Sequence, residues 1–174
     1  MLLLEGDEFD DLLRSARQEA FHLEVKDTYT TPNESEPFRE FLAGGSADDY
    51  EWLRGWLDLV AETTARGVNV RRARVVTVPH TDYTRWLLEV SHQNAAAGEE
   101  IRYLSRHLVD AEKLTADDWW LFDSESVAFT VFEPDGRWRG GALTTDRRIV
   151  EYCLQVRDLV WEAAVPHVDY LGAR

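Results

Sequence analysis

The chain has 174 residues, which is enough for one domain with a sizeable core or for a domain with an extension. Its hydrophobic content of 44% excludes a disordered polymer. A net charge of -14 argues against direct nucleic-acid binding, which needs basic side chains to neutralise phosphates. The single cysteine, Cys153, excludes both a disulfide framework within one chain and a cysteine-based zinc site.

The acidic charge is concentrated in the N-terminal third. The first 64 residues hold 16 of the 33 acidic side chains but only 5 of the 19 basic ones. This bias is typical of a solubilising surface, and it is also compatible with a docking surface for a basic partner. The chain turns acidic after Leu4 without the basic region of a signal peptide, and no stretch has the roughly 18 apolar residues of a membrane span. We therefore expect a cytoplasmic protein without a membrane segment.

The first 45 residues are predicted to form an acidic extension that packs on the core. Phe9, Leu12, Leu13 and Ala16 have helical spacing, whereas residues 20–29 alternate between apolar and polar side chains. In chain order we expect a helix over 7–18, a strand over 20–29, a turn at 31–33 and a short helix over 36–42 before Gly44 and Gly45.

Residues 46–174 alternate between helical and strand patterns. Three helices are predicted: one that follows a capping-box-like start at 46–49 and ends at Gly67, one capped by Thr81 that ends at Gly98, and one capped by Thr145 that ends before Pro166. Strands are predicted over 68–78, 100–104, 119–123, 126–132 and 138–143, with a turn at 134–136. This order predicts an α/β domain with a mixed sheet and helices packed on it.

Clustered arginines form the first candidate site. Arg72 and Arg74 share one face of the strand over 68–78, and Arg102 and Arg106 lie on and after the next strand. If the two strands are neighbours, the guanidinium groups could gather at one sheet edge and bind an anion or a phosphate. The alternative is that these arginines pair with acidic side chains such as Asp118, Asp123 or Glu133.

Four more side chains are candidates for the same site. His80 follows a strand end, where α/β proteins bind ligands. Trp119 and Trp120 could line a pocket, although packing in the core is the ordinary use of tryptophan. Asp123 ends their strand, so its carboxylate either faces a cleft or caps the turn that follows.

Sequence motifs of catalysis and cofactor binding are missing. The five histidines have no zinc-binding spacing, and no Gly-x-Ser-x-Gly nucleophile motif occurs. The glycine pairs lack the Gly-Lys-Ser/Thr context of a phosphate loop, and there is no Gly-x-Gly-x-x-Gly. We therefore predict no metal and no cofactor.

The second part of the chain, from about residue 60 to 165, resembles the phospholipase D-like α/β fold. The matching segments are 70–78, 98–104, 119–123, 127–132 and 157–161. The catalytic pattern of that family is His-x-Lys-x-x-x-x-Asp. With its Asp placed on Asp123, the Lys slot falls on Asp118 and the His slot on Ala116. The resemblance implies the fold without the nucleophile and the phosphate clamp, so no catalytic residue is assigned and we predict that the protein is not an enzyme.

Nearly the whole chain resembles a family of small acidic actinobacterial proteins that has no assigned activity. Genes of that family often lie beside those of helix-turn-helix regulators. The resemblance rests on segments 38–44, 72–76, 79–85, 97–101, 118–123 and 135–136. It implies a helix-turn-helix transcriptional regulator as the protein partner.

Three hypotheses follow. The first is a non-enzymatic regulatory or partner-binding protein that acts with a helix-turn-helix regulator. The second is a sensor that binds a small anionic ligand through the clustered arginines near Trp119 and Trp120. The third is a hydrolase of another mechanism, which would need polar groups that converge with Asp123 in a concave pocket. A homodimer is compatible with the sequence.

Overall fold

The computed structural model describes residues 1–29, 31–45, 50–134 and 137–172. In these ranges the strands are β1 (Leu2–Leu4), β2 (Glu19–Glu24), β3 (Asn69–Val76), β4 (Glu100–Ser105), β5 (Trp119–Phe122), β6 (Ser126–Phe132), β7 (Trp138–Thr144) and β8 (Val165–Pro166). The α-helices are α1 (Asp7–Ser15), α2 (Pro32–Leu42), α3 (Arg54–Ala65), α4 (Asp82–Ala96), α5 (Arg147–Ala163) and α6 (His167–Gly172).

The strands form one mixed sheet in the order β1-β7-β6-β5-β2-β3-β4-β8. β2, β3 and β4 run parallel, and their connections pass through helices as parallel crossovers require. The other neighbours pair antiparallel. This architecture confirms the predicted mixed α/β fold.

Alternation along the central strands separates the core into two layers. Phe21 and Leu23 on β2 and Trp119 and Leu121 on β5 pack against α5 on one face. α5 meets them with a helical stripe of Val150, Cys153, Val156 and Val160. The residues between them in the strands, such as Ala20 and Trp120, face α1 and α3 on the other side.

The first 45 residues contribute β1 and β2 to the same sheet. β2 lies in its interior, between β5 and β3, and is buried along most of its length. β1 pairs with β7 at a sheet edge, where a Cβ on Gly141 would lie 2.7 Å from ring carbons of Phe9. The predicted division between residues 45 and 46 remains a prediction, because residues 46–49 lie outside the described part of the chain.

Several predicted boundaries are corrected by side-chain contacts. The helix predicted over 7–18 ends at Ser15, because the backbone that follows it binds Asp123. The strand predicted over 20–29 ends at Glu24, after which the Val25 N–H donates to Asp118 Oδ1 at 2.7 Å and leaves the ladder.

Two predicted turns and caps also differ. The turn predicted at 31–33 is wrong, because α2 begins at Pro32, a residue suited to the first helical turn. Thr145 does not cap α5; the N-cap is Asp146, whose Oδ1 accepts from the Arg148 N–H at 2.9 Å. The predicted cap at 46–49, and residues 135 and 136 of the predicted turn, fall outside the described residues.

Within the described ranges, no helix has the length and apolar character needed to cross a membrane.

Candidate ligand-binding cavity

A cavity of about 320 Å³ lies on the sheet face that carries α1 and α3. Aromatic rings form much of its wall. Trp120 contacts Phe9 and Trp56 with ring centroids 6.4 Å and 5.6 Å apart, and Trp138 contacts Phe9 at 5.7 Å. A volume of this order falls at the lower end of the range for small-molecule sites.

A second group of rings lines the same cavity. Tyr29, which follows β2, lies 5.8 Å from Tyr83 on α4 and 5.9 Å from Phe132 on β6, measured between ring centroids. Trp52 also lines the cavity and is stacked on Trp86 at 5.5 Å. These contacts hold rings from four separate chain segments around one space.

The floor of the cavity is a buried ion cluster on β2 and β3. The parallel register places His22 beside Arg72 and Glu24 beside Arg74. The Glu24 carboxylate bridges the two arginines, pairing with Nη1 of Arg72 and Nε of Arg74. Each of the three residues is less than 9% exposed. Burial alone would raise the pKa of Glu24, but the charges of Arg74 and Arg72 bring it well below its ordinary value.

Further contacts complete the pairing of the two arginines. Arg72 Nε donates to Glu99 Oε1 at 2.6 Å, and the other Glu99 oxygen accepts from Asn94 Nδ2 at 2.8 Å. Arg74 Nη1 donates to Ser91 Oγ at 2.6 Å and to the Tyr103 hydroxyl at 3.0 Å. Both guanidinium groups are therefore neutralised by carboxylates.

His22 lies against this cluster without a hydrogen bond of its own. Its ring stacks on Trp120 at 4.3 Å, and the residue is 9% exposed. Glu24 Oε1 is 3.5 Å from Nδ1, and neither ring nitrogen has a hydrogen-bond partner. Burial, followed by the charge of Arg72, lowers the pKa of His22 well below its ordinary value, so the ring is neutral.

Three other buried polar groups that belong to cavity-lining residues also lack partners: the Tyr29 hydroxyl, the Trp56 Nε1–H and the Thr130 hydroxyl. Buried polar groups in proteins are nearly always hydrogen-bonded. Together with the His22 ring, these groups can bond to a molecule that enters the cavity.

Two acidic side chains of the cavity have no basic partner among the described residues. Asp118, 1% exposed, accepts a hydrogen bond from the Val25 N–H, and burial raises its pKa to about 6. Glu34 accepts a hydrogen bond from the Tyr83 hydroxyl, and burial raises its pKa as well. Both groups keep a proton at a higher pH than an exposed carboxyl would.

The structure gathers only some of the sequence candidates. Arg72, Arg74 and Trp120 meet in the cavity. Trp119 points to the opposite face, where it packs on Phe21 and donates to Thr115 Oγ1 at 2.9 Å. Its burial there gives it the ordinary core role of tryptophan.

The other basic candidates stabilise the ends of strands. Arg102 binds Glu100 Oε1 at 2.9 Å and stacks over Trp161 at 4.1 Å. Arg106 Nη2 donates to the carbonyl oxygens of Val25 and Val75. The four arginines therefore do not share one sheet edge.

His80 also lies outside the cavity. Its Nδ1 is 2.9 Å from the Thr77 carbonyl oxygen, and its Nε2 is 2.9 Å from the Tyr170 hydroxyl. These contacts join the end of β3 to α6.

Asp123 binds the backbone between α1 and β2 and does not line the cavity. Its carboxylate accepts hydrogen bonds from the N–H groups of Arg17, Gln18 and Glu19, at 3.0, 2.7 and 3.0 Å. Burial favours its protonated form, but the N–H groups of Glu19, Gln18 and Arg17 hold its pKa below the ordinary value. These contacts match neither prediction, because the carboxylate binds the segment between α1 and β2, and neither faces a cleft nor caps the turn that follows it.

We expect Asp123→Ala to lower the free energy of unfolding by about 2 kcal/mol, because three N–H groups lose a charged acceptor. Asp123→Asn should cost less than half as much, since it keeps one acceptor and tolerates the φ of 52°. Urea unfolding of both variants measures the difference. Equal losses would contradict a role in hydrogen bonding.

Most of the cavity could not be predicted from the sequence. The predicted partners of the arginines were Asp118, Asp123 or Glu133, whereas Arg72 and Arg74 pair with Glu24 and Glu99. One signal was available: His22 and Glu24 occupy alternate positions of β2, on the face that a hydrophobic layer would otherwise fill. The tyrosines and tryptophans came from separate segments that only tertiary packing joins.

The model of a domain of unknown function, DUF6879, matches residues 7–172. The chain therefore belongs to the DUF6879 family. No curated protein sequence matches the chain significantly.

Two solved structures resemble this DUF6879 protein. One is TrmBL2, an archaeal chromatin protein with a novel mode of DNA binding, at a TM-score of 0.52 and 16% identity. The match covers 94% of this chain and 53% of TrmBL2, so the chain spans about half of that protein. The other is a phospholipase D family member, Nuc from Salmonella typhimurium, at a TM-score of 0.53 and 11% identity over 91% of this chain and 87% of Nuc. The second match confirms the predicted phospholipase D-like fold.

One slot of the phospholipase D motif contributes to the cavity of this DUF6879 protein. Asp118, in the Lys slot, precedes β5 and lines the cavity, whereas Ala116, in the His slot, lies outside it. A buried carboxyl group thus stands where the motif would place a cation. In the described ranges, no group of three or more His, Cys, Asp or Glu side chains is arranged to hold a metal ion.

Proposed function

We propose that the protein is a non-enzymatic regulatory protein that binds a small organic molecule in the aromatic cavity. The observation that supports this most strongly is the combination of an aromatic wall with buried polar atoms that have no partner, above all the His22 ring. A mostly apolar cavity with a few oriented polar groups is the usual form of a small-molecule site.

The polar chemistry of the cavity favours binding over catalysis. The described lining residues include no Ser, Cys or Lys, and the Thr130 hydroxyl has no base within hydrogen-bond reach. Covalent catalysis needs a nucleophile paired with a base. Cys153 lies in the other core layer, and burial raises the pKa of its thiol to about 12, so it is unreactive.

The predicted anionic ligand has less support than a neutral or cationic one. Arg72 and Arg74 are buried and held by Glu24 and Glu99, so an anion would have to displace a carboxylate from a paired guanidinium. Breaking a buried ion pair is expensive.

A helix-turn-helix regulator is the partner in this proposal, in an actinobacterial cell. The gene context of the resembling family supports it, and so does the likeness of nearly the whole chain to about half of a DNA-binding chromatin protein. The acidic N-terminal third would supply a docking surface of the right sign for a basic partner. Co-purification with the product of the adjacent gene tests this part, and the absence of a complex at micromolar concentration would contradict it.

Trp120→Leu should weaken ligand binding. Four of the seven tryptophans (Trp52, Trp56, Trp120 and Trp138) line the cavity, so a ligand found by thermal-shift screening should also change the tryptophan fluorescence. Removing the Trp120 indole takes away a central wall and should weaken binding at least about tenfold, or about 1.4 kcal/mol. Isothermal titration measures the loss.

Trp161→Leu is the matched control, because Trp161 belongs to α5, lies under the Arg102 guanidinium and is outside the cavity. If ligands bind equally well to both variants, the cavity is not their site.

A further inference from the structure

The charges of the cavity are unbalanced, and this bears on the class of ligand that the proposed function requires. Among the described lining residues the basic side chains are Arg72 and Arg74, and the acidic ones are Glu24, Glu34 and Asp118. Glu24 and Glu99 already neutralise the two arginines. Asp118 and Glu34 therefore remain as carboxyl groups without a cation.

Aromatic faces surround these two carboxyl groups. The Tyr83 hydroxyl donates to Glu34, and Tyr83 contacts Tyr29, which in turn contacts Phe132. Burial raises the pKa of Tyr29 well above its ordinary value, and the negative charges of Glu24 and Asp118 add to this effect. The two carboxyl groups and the three rings thus border one part of the cavity. Aromatic faces with nearby carboxylates are the setting in which proteins bind ammonium groups.

Among the described residues, no basic side chain occupies this place. Lys26 is the basic residue whose charge lowers the pKa of Asp118. Its Nζ, however, lies 3.5 Å from Asp117 Oδ1 and 4.3 Å above the Phe132 ring. Lys26 does not line the cavity. The Lys26 ammonium group nevertheless lies over Phe132, so one face of this cavity-lining ring already binds a cation.

We infer that the cavity binds a small organic cation, an amine or a quaternary ammonium compound, whose charged nitrogen lies between Asp118, Glu34 and the rings of Tyr29, Tyr83 and Phe132. The His22 ring nitrogens and the Trp56 N–H, which have no partner, would bond a second polar group of the same ligand. This inference rests on the proposed function and gives it a ligand class.

The inference predicts that binding depends on pH. The charged or titratable groups that act on Asp118 are Glu24, Tyr29 and Lys26, besides the Val25 N–H. Since burial raises the pKa of Asp118 to about 6, a cation binds to the ionised form above this pH and has to displace a proton below it. Affinity for a cation should therefore fall as the pH drops from about 7.5 to about 5.

A set of three isosteres tests the charge preference. Choline, its neutral carbon analogue dimethylbutanol and the anion dimethylbutanoate have nearly the same shape and differ in charge. Titrations followed by tryptophan fluorescence should give at least about tenfold tighter binding for choline at about pH 7.5. The preference should shrink at about pH 5.

Variants of Asp118 and Glu34 test which carboxyl group binds the charged nitrogen of choline. Asp118→Asn keeps an acceptor for the Val25 N–H. It should weaken choline binding about tenfold and reduce its pH dependence, with a much smaller effect on dimethylbutanol binding. The pH dependence that remains is expected from Glu34, whose pKa burial also raises. Glu34→Gln, which keeps an acceptor for Tyr83, tests the second carboxyl group independently. The matched control is Asp117→Asn, the neighbouring carboxylate, which is 62% exposed and outside the cavity.

Equal or tighter binding of dimethylbutanol or dimethylbutanoate would overturn the cation inference and leave the proposed function intact. Failure of choline to bind at millimolar concentration would overturn it as well. The proposed function fails only if a broad compound library also yields no ligand whose binding depends on Trp120, so the two failures are distinct.

Discussion

Replacing Glu24 with Gln is expected to lower the free energy of unfolding by about 3–5 kcal/mol, the usual cost of removing one partner from a buried ion pair. Glu24 is the carboxylate that Arg72 and Arg74 share. After the substitution Arg72 keeps Glu99, but Arg74 keeps only the neutral Ser91 and Tyr103 oxygens. Guanidinium chloride unfolding near pH 7 measures the loss.

Two controls separate the ion cluster from general effects of the substitution. Glu62→Gln, on the exposed face of α3, should change the stability by less than about 0.5 kcal/mol. Adding Arg74→Met to Glu24→Gln should recover part of the loss, because the unpaired buried charge is then gone. A loss below about 1 kcal/mol for Glu24→Gln would show that water or a rearranged side chain compensates Arg74.

The effect of Glu24 also has a predictable pH dependence. Because folding lowers its pKa, the stabilisation is complete above the ordinary value of 4.5 and is lost as the pH falls below it. The wild-type protein and Glu24→Gln should therefore differ less in their free energies of unfolding as the pH falls below 4.5.

Without ligand, Asp118→Asn is expected to have a higher free energy of unfolding than the wild type, and this difference should increase as the pH rises. Glu24 has the opposite role, because its ionised carboxylate stabilises the folded protein. Burial raises the pKa of Asp118 from 3.8 to about 6. The folded state therefore binds a proton that the unfolded state has released, and wild-type stability declines between about pH 4 and pH 6. At about 1.4 kcal/mol for each pH unit, the penalty reaches at most about 3 kcal/mol above pH 6.

Urea unfolding at about pH 4 and about pH 7 tests this sign. The free energy of unfolding of Asp118→Asn relative to wild type should increase by up to about 3 kcal/mol between the two pH values. For Asp117→Asn the difference from wild type should not change with pH. If the difference in free energy of unfolding between Asp118→Asn and wild type is the same at both pH values, Asp118 is solvated in the folded state. A cationic ligand should reduce the extra stability of Asp118→Asn, because the ligand stabilises the ionised carboxylate of the wild type.

In the proposed function, Asp118 and Glu24 account for a phospholipase D-like sheet that binds a ligand without the chemistry of that family. Asp118, which the sequence resemblance aligns with the Lys of the motif, is a buried carboxyl group, and the arginines on β3 are paired with Glu24 and Glu99. No described cation of the cavity is therefore free to bind a phosphate. These pairings support the proposal of a binding protein over that of a phosphoryl- or acyl-transfer enzyme.

Local patterns were sufficient for most elements near the cavity. The β-branched run at 68–78 becomes β3, the aromatic segments at 119–123 and 126–132 become β5 and β6, and Thr81 caps α4 by accepting from the Thr84 N–H. Each of these rests on spacing within a few residues, which acts before distant parts of the chain meet. The phospholipase D-like resemblance depended on the same segments, and the structural comparison confirms that fold.

Short or edge elements could not be predicted in this way. β1 has three residues and is held by pairing with β7, about 140 positions away, and β8 has two residues that pair with β4. Neither segment has a local period to detect. The same reason explains the error at Asp123, where a carboxylate that could have faced a cleft instead binds the backbone of residues 17–19.

Composition and spacing alone predicted an acidic α/β protein with a mixed sheet, because these features depend on residue identity and local order. The missing His and Lys of the phospholipase D motif follow from the resemblance to that family, with its Asp placed on Asp123. The ligand cavity is a property of the tertiary structure. The parallel register of β2 and β3 places Glu24 between Arg72 and Arg74, and packing of α1, α3 and α4 against the sheet surrounds the ion cluster with rings from distant segments. Which charges are neutralised, and which carboxyl groups remain without a partner, depends on contacts between residues tens of positions apart.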